Sequence, residues 1–145
     1  GINIPANLMV AGTTFLIIAS GVAGTTATAP TMTWRIRIGT SSLSGNIAAS
    51  VAPTPGTSLT NKPWTIMILV TVRTSGASGT IIGNGFIWSE LSTTLAQAVK
   101  GTGTTSTVAV DTTAAKILEI TFQWGTANAS NTLTCHNASI EIVKM

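Results

Sequence analysis

Apolar and polar side chains alternate along most of this chain, and the clearest case is residues 116–125. Because successive side chains of a strand point to opposite faces, this pattern predicts a half-buried strand that ends at Gly125. Its inward-facing residues are Leu118, Ile120, Phe122 and Trp124. Residues 32–38 alternate in the same way and predict a second such strand. Its inward-facing residues are Met32, Trp34, Ile36 and Ile38.

Two further strands carry apolar residues on both parities. Residues 14–22 are apolar on both sides, which is typical of a strand that is covered on both faces. The strand that contains Trp64 has one clear inner face, yet Met67 and Leu69 lie on the opposite parity. We therefore expect its second face to be covered as well.

About eight strands follow one another at spacings near 8–12 residues, as in a β-sandwich or barrel. Residues 89–107 are ambiguous, and a loop or strand is favoured there over a helix. Gly83 and Gly85 lie two apart and indicate a bulge or a close backbone approach. Several connections are longer than hairpin turns, which favours jelly-roll connections over a meander. The prediction is a single all-β domain over residues 1–145, a two-sheet jelly-roll-like β-sandwich.

Residues 40–62 form the longest stretch without strong periodicity, although residues 46–51 fit a short strand within it. A loop of this length often carries contacts, and proline lowers the entropy that such a loop loses on docking. We therefore predict a partner-contact loop. Its candidate residues are Ser44, Asn46, Pro53, Pro55 and Leu59. An ordinary solvated surface loop is the alternative.

Charged residues make up only 8% of the chain, against about 25% in an average soluble domain. So few charges indicate a surface that neighbours cover, and we predict a homotrimer in which part of a sheet packs against its neighbours. The net charge of +3 comes from scattered residues with no basic run, which argues against a nucleic-acid partner. No apolar run reaches the roughly 18 residues of a membrane span, and no signal peptide is visible.

Candidate catalytic chemistry is sparse. His136 is the only histidine and follows Cys135, the only cysteine, on a predicted strand. Adjacent strand residues point to opposite faces, so these two side chains cannot easily share a metal ion. The acidic residues are far apart in sequence, and Asp111 is expected to accept hydrogen bonds within a turn. We predict no enzyme activity, no cofactor and no metal site.

The tryptophans divide into two groups. Trp34, Trp64 and Trp124 lie on apolar parities and are predicted to belong to the core. Trp88 ends its strand and is the candidate exposed aromatic. An exposed indole is a platform on which a sugar ring can stack, but the chain has no tyrosine to extend such a surface.

A set of short motifs occurs in a fixed order along nearly the whole chain. The motifs are Ile4-Pro5-Ala6-Asn7, Val10-Ala11-Gly12-Thr13, Arg35-Ile36-Arg37-Ile38-Gly39, the segment from Val72 to Thr80, Val110-Asp111-Thr112-Thr113-Ala114, Gln123-Trp124-Gly125-Thr126-Ala127 and Asn131-Thr132-Leu133-Thr134-Cys135. The ordered set resembles a β-rich domain that recurs in structural proteins of tailed bacteriophages. The resemblance implies a non-enzymatic virion component, typically a jelly roll assembled as a trimer.

Three functions are compared on this basis. The first is a trimeric capsid decoration (cement) protein on the exterior of the virion, bound to the major capsid protein or to another virion protein. The second is the tip of a trimeric tail fibre, which would bind a receptor or a host surface glycan. The third, a glycan-cleaving enzyme, lacks the paired carboxylates that such chemistry needs. The short, charge-poor chain favours the first function.

Overall fold

The computed structural model describes residues 1–50, 54–92, 96–102 and 106–144, apart from the side chain of Gln97. These residues form ten strands, and no helix occurs among them. The strands are β1 (Ile2–Ile4), β2 (Thr14–Gly24), β3 (Met32–Gly39), β4 (Asn46–Ser50), β5 (Lys62–Thr74), β6 (Thr80–Ser89), β7 (Ala96–Gly101), β8 (Val108–Ala109), β9 (Lys116–Trp124) and β10 (Thr132–Lys144). The predicted all-β class is confirmed, with ten strands in place of about eight.

All strand pairings are antiparallel, and they join the strands into one sheet in the order β1-β9-β3-β4-β7-β6-β5-β2-β10, with β8 on β6. The sheet folds back on itself as a sandwich. We call β1, β9, β3 and β4 the β3–β9 half, and β7, β6, β5, β2 and β10 the β2–β5 half. The inner faces of the two halves form the core.

The core follows the predicted alternation. Along β3 the residues from Met32 to Ile38 alternate between buried and half-buried, with every second one inward. Trp34 packs against Trp64 of the opposite half, with ring centroids 4.5 Å apart, and against Phe122 of β9 at 4.8 Å. Trp34 and Trp64 are each 2% exposed, so the prediction that they belong to the core is confirmed.

The two glycines of β6 mark a close approach between strands. The register of β5 with β6 runs unbroken through Gly83 and Gly85, so there is no bulge at these positions. A Cβ atom on Gly83 would lie 3.0 Å from the Cβ atom of Ala48 in β4. Glycine at this position therefore lets β4 pack close to β6.

Candidate functional site

Two apolar surfaces are left uncovered by the residues that the structure describes. The first, the outer patch, lies on the outside of the β2–β5 half. Its members are Leu16, Ile18, Met67, Leu69, Phe86 and Trp88. The second, the open seam, is a groove between β9 and β10, where the folded sheet does not close.

Strand register assembles the outer patch from three neighbouring strands. Leu16 pairs with Leu69, Ile18 pairs with Met67, and Met67 pairs with Phe86 on its other side. Directly opposed residues of antiparallel strands lie on the same face, so these side chains form one contiguous surface. The large side chains on β5 and β6 are 38–48% exposed. The sequence analysis expected this second apolar face to be covered. No described residue of the chain covers it.

Charge is absent from the middle of the outer patch. No charged residue occurs in β2 or β6, and β5 carries charge only near its ends, at Lys62 and Arg73. Opposite charges flank the row that contains Leu69. Glu141 of β10 pairs with Leu16 at one side, and Lys100 of β7 follows the Val99–Gly85 pair at the other.

The candidate exposed aromatic, Trp88, lies at the end of this surface and is 48% exposed. Its partners across the two ladders are Thr65 and Ala96. Sugar sites combine an aromatic platform with several hydrogen-bonding groups. These two partners offer a single side-chain hydroxyl.

The open seam exists because no described strand joins β10 to β9. β10 is the last strand of the sheet, and β1 pairs with β9 only along the residues from Lys116 to Leu118. The groove between them has a volume of about 480 Å³. The inward-facing residues of β10, as the register with β2 assigns them, are Leu133, Cys135, Ala138, Ile140 and Ile142. Several are exposed although they face the interior, because nothing among the described strands covers them.

The opposite wall explains a difference from the sequence prediction. Phe122 and Trp124 of β9 pack edge-to-face at 4.7 Å, yet both are only half-buried. The strand parity places them inward as predicted. Phe122 lines the open seam, whereas Trp124 lines a second pocket with residues 127–129, and no described strand covers either ring.

Two tryptophans line the floor of the seam. The indole Nε1 atoms of Trp34 and Trp64 are buried, and neither has a hydrogen-bond partner within the described part of the protein. A buried donor without a partner costs about 1–3 kcal/mol. Native proteins pair the large majority of such groups, so an unpaired couple beside one groove is a feature that needs a cause.

The predicted partner-contact loop divides into two parts. Since β4 forms within it and runs antiparallel to β3, Ser44 and Asn46 lie near the end of β3, whereas Pro55 and Leu59 lie beyond the opposite end of β4. Pro53 lies outside the described residues.

The first part is a rigid turn with an apolar tip. Ser44 Oγ donates to the carbonyl of Ser41 at 2.6 Å. The buried carboxylate of Glu119 accepts from Ser42 Oγ at 3.0 Å and from the main-chain N–H of Leu43. Leu43 has a φ angle of 64° and is 66% exposed. The sequence analysis did not find this residue, because its exposure depends on the clamp that Glu119 provides.

The second part is docked on the body of the protein. The hydroxyl of Thr25 donates to the carbonyl of Gly56 at 2.7 Å and accepts from the N–H of Leu59 at 3.2 Å. The N–H of Ser58 donates to the carbonyl of Thr26 at 2.7 Å. Pro55 is buried and Leu59 packs against the core. Pro55 and Leu59 therefore hold this segment against the body of the protein, and their side chains face inward.

Asp111 accepts hydrogen bonds within its own turn. Asp111 Oδ1 accepts from the hydroxyl of Thr113 at 2.6 Å and from its N–H at 3.0 Å. These hydrogen bonds, with the hydroxyl the larger cause, lower the pKa of Asp111 from its ordinary value of 3.8. The predicted turn role of Asp111 is confirmed. Within the described residues no three His, Cys, Asp or Glu side chains come together as a metal site.

Comparison with protein-family models, with characterised proteins and with solved structures finds no match to this chain. No helix that could cross a membrane is found in the described ranges.

Proposed function

We propose that this protein is a non-enzymatic structural component on the exterior of a bacteriophage virion, a homotrimeric capsid decoration protein. The observation that carries the proposal is the outer patch, a charge-free apolar surface in the middle of a regular sheet. Burying the remaining exposed area of one such large side chain is worth on the order of 1–2 kcal/mol. Contiguous patches of this kind mark interaction surfaces.

The dimensions of the β2–β5 half suit three copies. Its five strands, at ~4.8 Å spacing, span about 19 Å. Three such faces arranged as a triangular prism would each lie about 5.5 Å from the axis, close to half the ~10 Å that separates packed sheets. The six residues of the outer patch would then meet at the threefold axis.

Charge supports the same arrangement. In a prism, β10 of each copy meets β7 of the next, which brings Glu141 of one copy towards Lys100 of its neighbour. A charge swap tests this contact. Glu141→Lys and Lys100→Glu alone should each weaken the trimer in sedimentation equilibrium, and the double variant should restore it. A protein that is monomeric at micromolar concentration, or single variants with unchanged association, would contradict the arrangement.

We assign the particle contact to the turn that carries Leu43. Arg37 Nη1 donates to the Leu43 carbonyl at 2.7 Å, and Glu119 holds the N–H of the same residue. An apolar tip fixed in this way loses little entropy when it binds. Major capsid protein, or another virion protein, is the expected partner.

The function is tested by adding back the protein to particles that lack it. Leu43→Ser should weaken binding by about tenfold or more, the equivalent of a lost apolar contact of ~1.4 kcal/mol. Val10→Ser is the matched control, since Val10 is another exposed apolar loop residue at 45% exposure. Electron microscopy of the particles should show the protein on the head, and density on the tail instead would contradict the proposal.

A further inference from the structure

We infer that the open seam is a binding groove for one extended, uncharged segment of another protein, which adds a strand between β9 and β10. This inference does not depend on the trimer or on the virion assignment, because the seam lies at the edges of the sheet and the outer patch on its outside.

The first argument is the pair of unpaired strand edges. On the edge of β9 that carries β1, residues 119–124 have no partner strand in the described part of the chain. Along its whole length β10 pairs with β2 on one edge only. Rows of unpaired main-chain N–H and C=O groups are templates for a further strand. An extended segment between the two edges could pair with either of them.

The second argument is the floor of the groove. Trp34 and Trp64 form this floor, and each is 2% exposed. Their Nε1 atoms are enclosed by the protein, so an occupant of the groove packs against the indole rings and does not bind these nitrogens. A wholly apolar small molecule of suitable size could fill about 480 Å³, yet it would leave the strand edges unpaired.

The lining defines the chemistry of the occupant. The groove walls carry Ile120 and Phe122 on one side and Leu133, Ala138 and Ile140 on the other, and no charged side chain lines it. Because strand side chains alternate, the occupant should present apolar residues at every second position. A charge at these positions would be buried without a partner.

The donor is another protein and not a second copy of this chain. Every described strand is already paired within its own sheet, so a second copy would have to break a ladder to supply one. The end strand β1 spans only Ile2–Ile4 and is too short to line the free edge of β9.

The test uses a soluble probe peptide, acetyl-Lys-Lys-Thr-Val-Thr-Val-Thr-Val-Thr-Lys-Lys-amide, with the intact protein. Exchange of the main-chain N–H groups of β9 and β10 with solvent is followed by NMR. We expect the peptide to slow exchange on the free edges of these two strands by about tenfold, as one added hydrogen bond implies, and to leave the ladder between β5 and β6 unchanged. A control peptide with proline in place of the three valines lacks three N–H groups along one of its edges and should not bind.

Two neighbouring residues of β10 provide matched variants. Ala138 faces the seam and the adjacent Asn137 faces outward, and both are exposed. Ala138→Trp should abolish peptide binding, whereas Asn137→Trp should not. Protection of the Cys135 thiol, which lines the seam, against alkylation by N-ethylmaleimide gives a second reading in the unmodified protein.

The outcomes separate clearly. Slower exchange on the free edges of β9 and β10, with protection of Cys135, supports the groove. Equal binding of the proline peptide, unchanged exchange on these edges, or retained binding in Ala138→Trp overturns it. Sedimentation of Ala138→Trp should match that of the parent protein, so a failed groove and a failed trimer are told apart.

Discussion

The outer faces of the two halves of the sheet differ in the side chains that they expose. On the β3–β9 half, polar outward side chains pair with one another: Arg35 Nη1 donates to Gln123 Oε1 at 2.7 Å, and Arg37 Nε donates to Thr121 Oγ1 at 3.0 Å. On the β2–β5 half the corresponding positions carry the outer patch. Both faces follow strict strand alternation, so regular strands alone do not tell which face meets water. The outward residues decide that.

The largest expected effect is the loss of trimer association when charged side chains replace apolar ones in the outer patch. The double variant Met67→Lys with Phe86→Lys places two adjacent charges on the outer patch. Because these would be buried side by side at a trimer axis, we expect complete dissociation to monomers in sedimentation equilibrium. Gln123→Lys on the other face is the control and should leave association unchanged. A double variant that remains trimeric would mean that another surface joins the copies.

The next prediction compares the inner sides of the two halves. Trp34→Ala should lower the free energy of unfolding by about 3–5 kcal/mol, because the residue is fully enclosed. Trp124 lies on the same half and is only half-buried, so Trp124→Ala should cost roughly half as much. Urea denaturation of both variants measures the difference. Equal losses would mean that Trp124 is as enclosed as Trp34 in solution.

A smaller effect is expected at the one acidic residue that the polar face encloses. Glu119→Ala removes the acceptor of the Leu43 N–H and of the Ser42 hydroxyl, at a cost of about 1–3 kcal/mol. Glu141→Ala, on the exposed edge strand, should change the stability of the monomer by no more than about 0.5 kcal/mol. Thermal denaturation at low protein concentration makes the comparison. Similar losses at both sites would remove the case for a clamped turn.

The smallest effect concerns Asp111, which belongs to neither face. Because its pKa is lowered in the folded protein, its stabilising contribution is present above the ordinary value of 3.8 and is lost as the pH falls through the lower folded value. Urea midpoints measured at pH 5 and at pH 3 should fall less in Asp111→Asn than in the parent protein. Thr113→Ala, which removes the main hydrogen-bond donor, should behave similarly. An unaltered fall in both variants would contradict the assignment.

Local pattern was sufficient for much of the fold. Alternation placed Met32, Trp34 and Leu118 inward, and each is buried in the structure. Position along a strand also separated Trp88 from the enclosed Trp34 and Trp64, since the end of a strand is visible in the sequence. These features depend on the side of a strand from which a residue projects, and backbone geometry determines that side.

The alternation of apolar and polar residues did not suffice to predict the candidate surfaces, because these depend on contacts between distant parts of the chain. The predicted contact loop proved to be two separate segments, since the pairing of β4 with β3 and β7 divides it. Leu43 became an exposed tip only through Glu119, a residue distant in sequence.

What the sequence by itself determined is therefore the set of strands and the inward side of each. Only the tertiary structure decided what covers those sides: that Phe122 faces an open seam, and that Met67 and Leu69 have no cover from the described residues of their own chain. The physical reason is that alternation is a property of one strand, whereas cover depends on strand order. Strand order is set by pairings between residues far apart along the chain, such as β9 with β3 and β10 with β2.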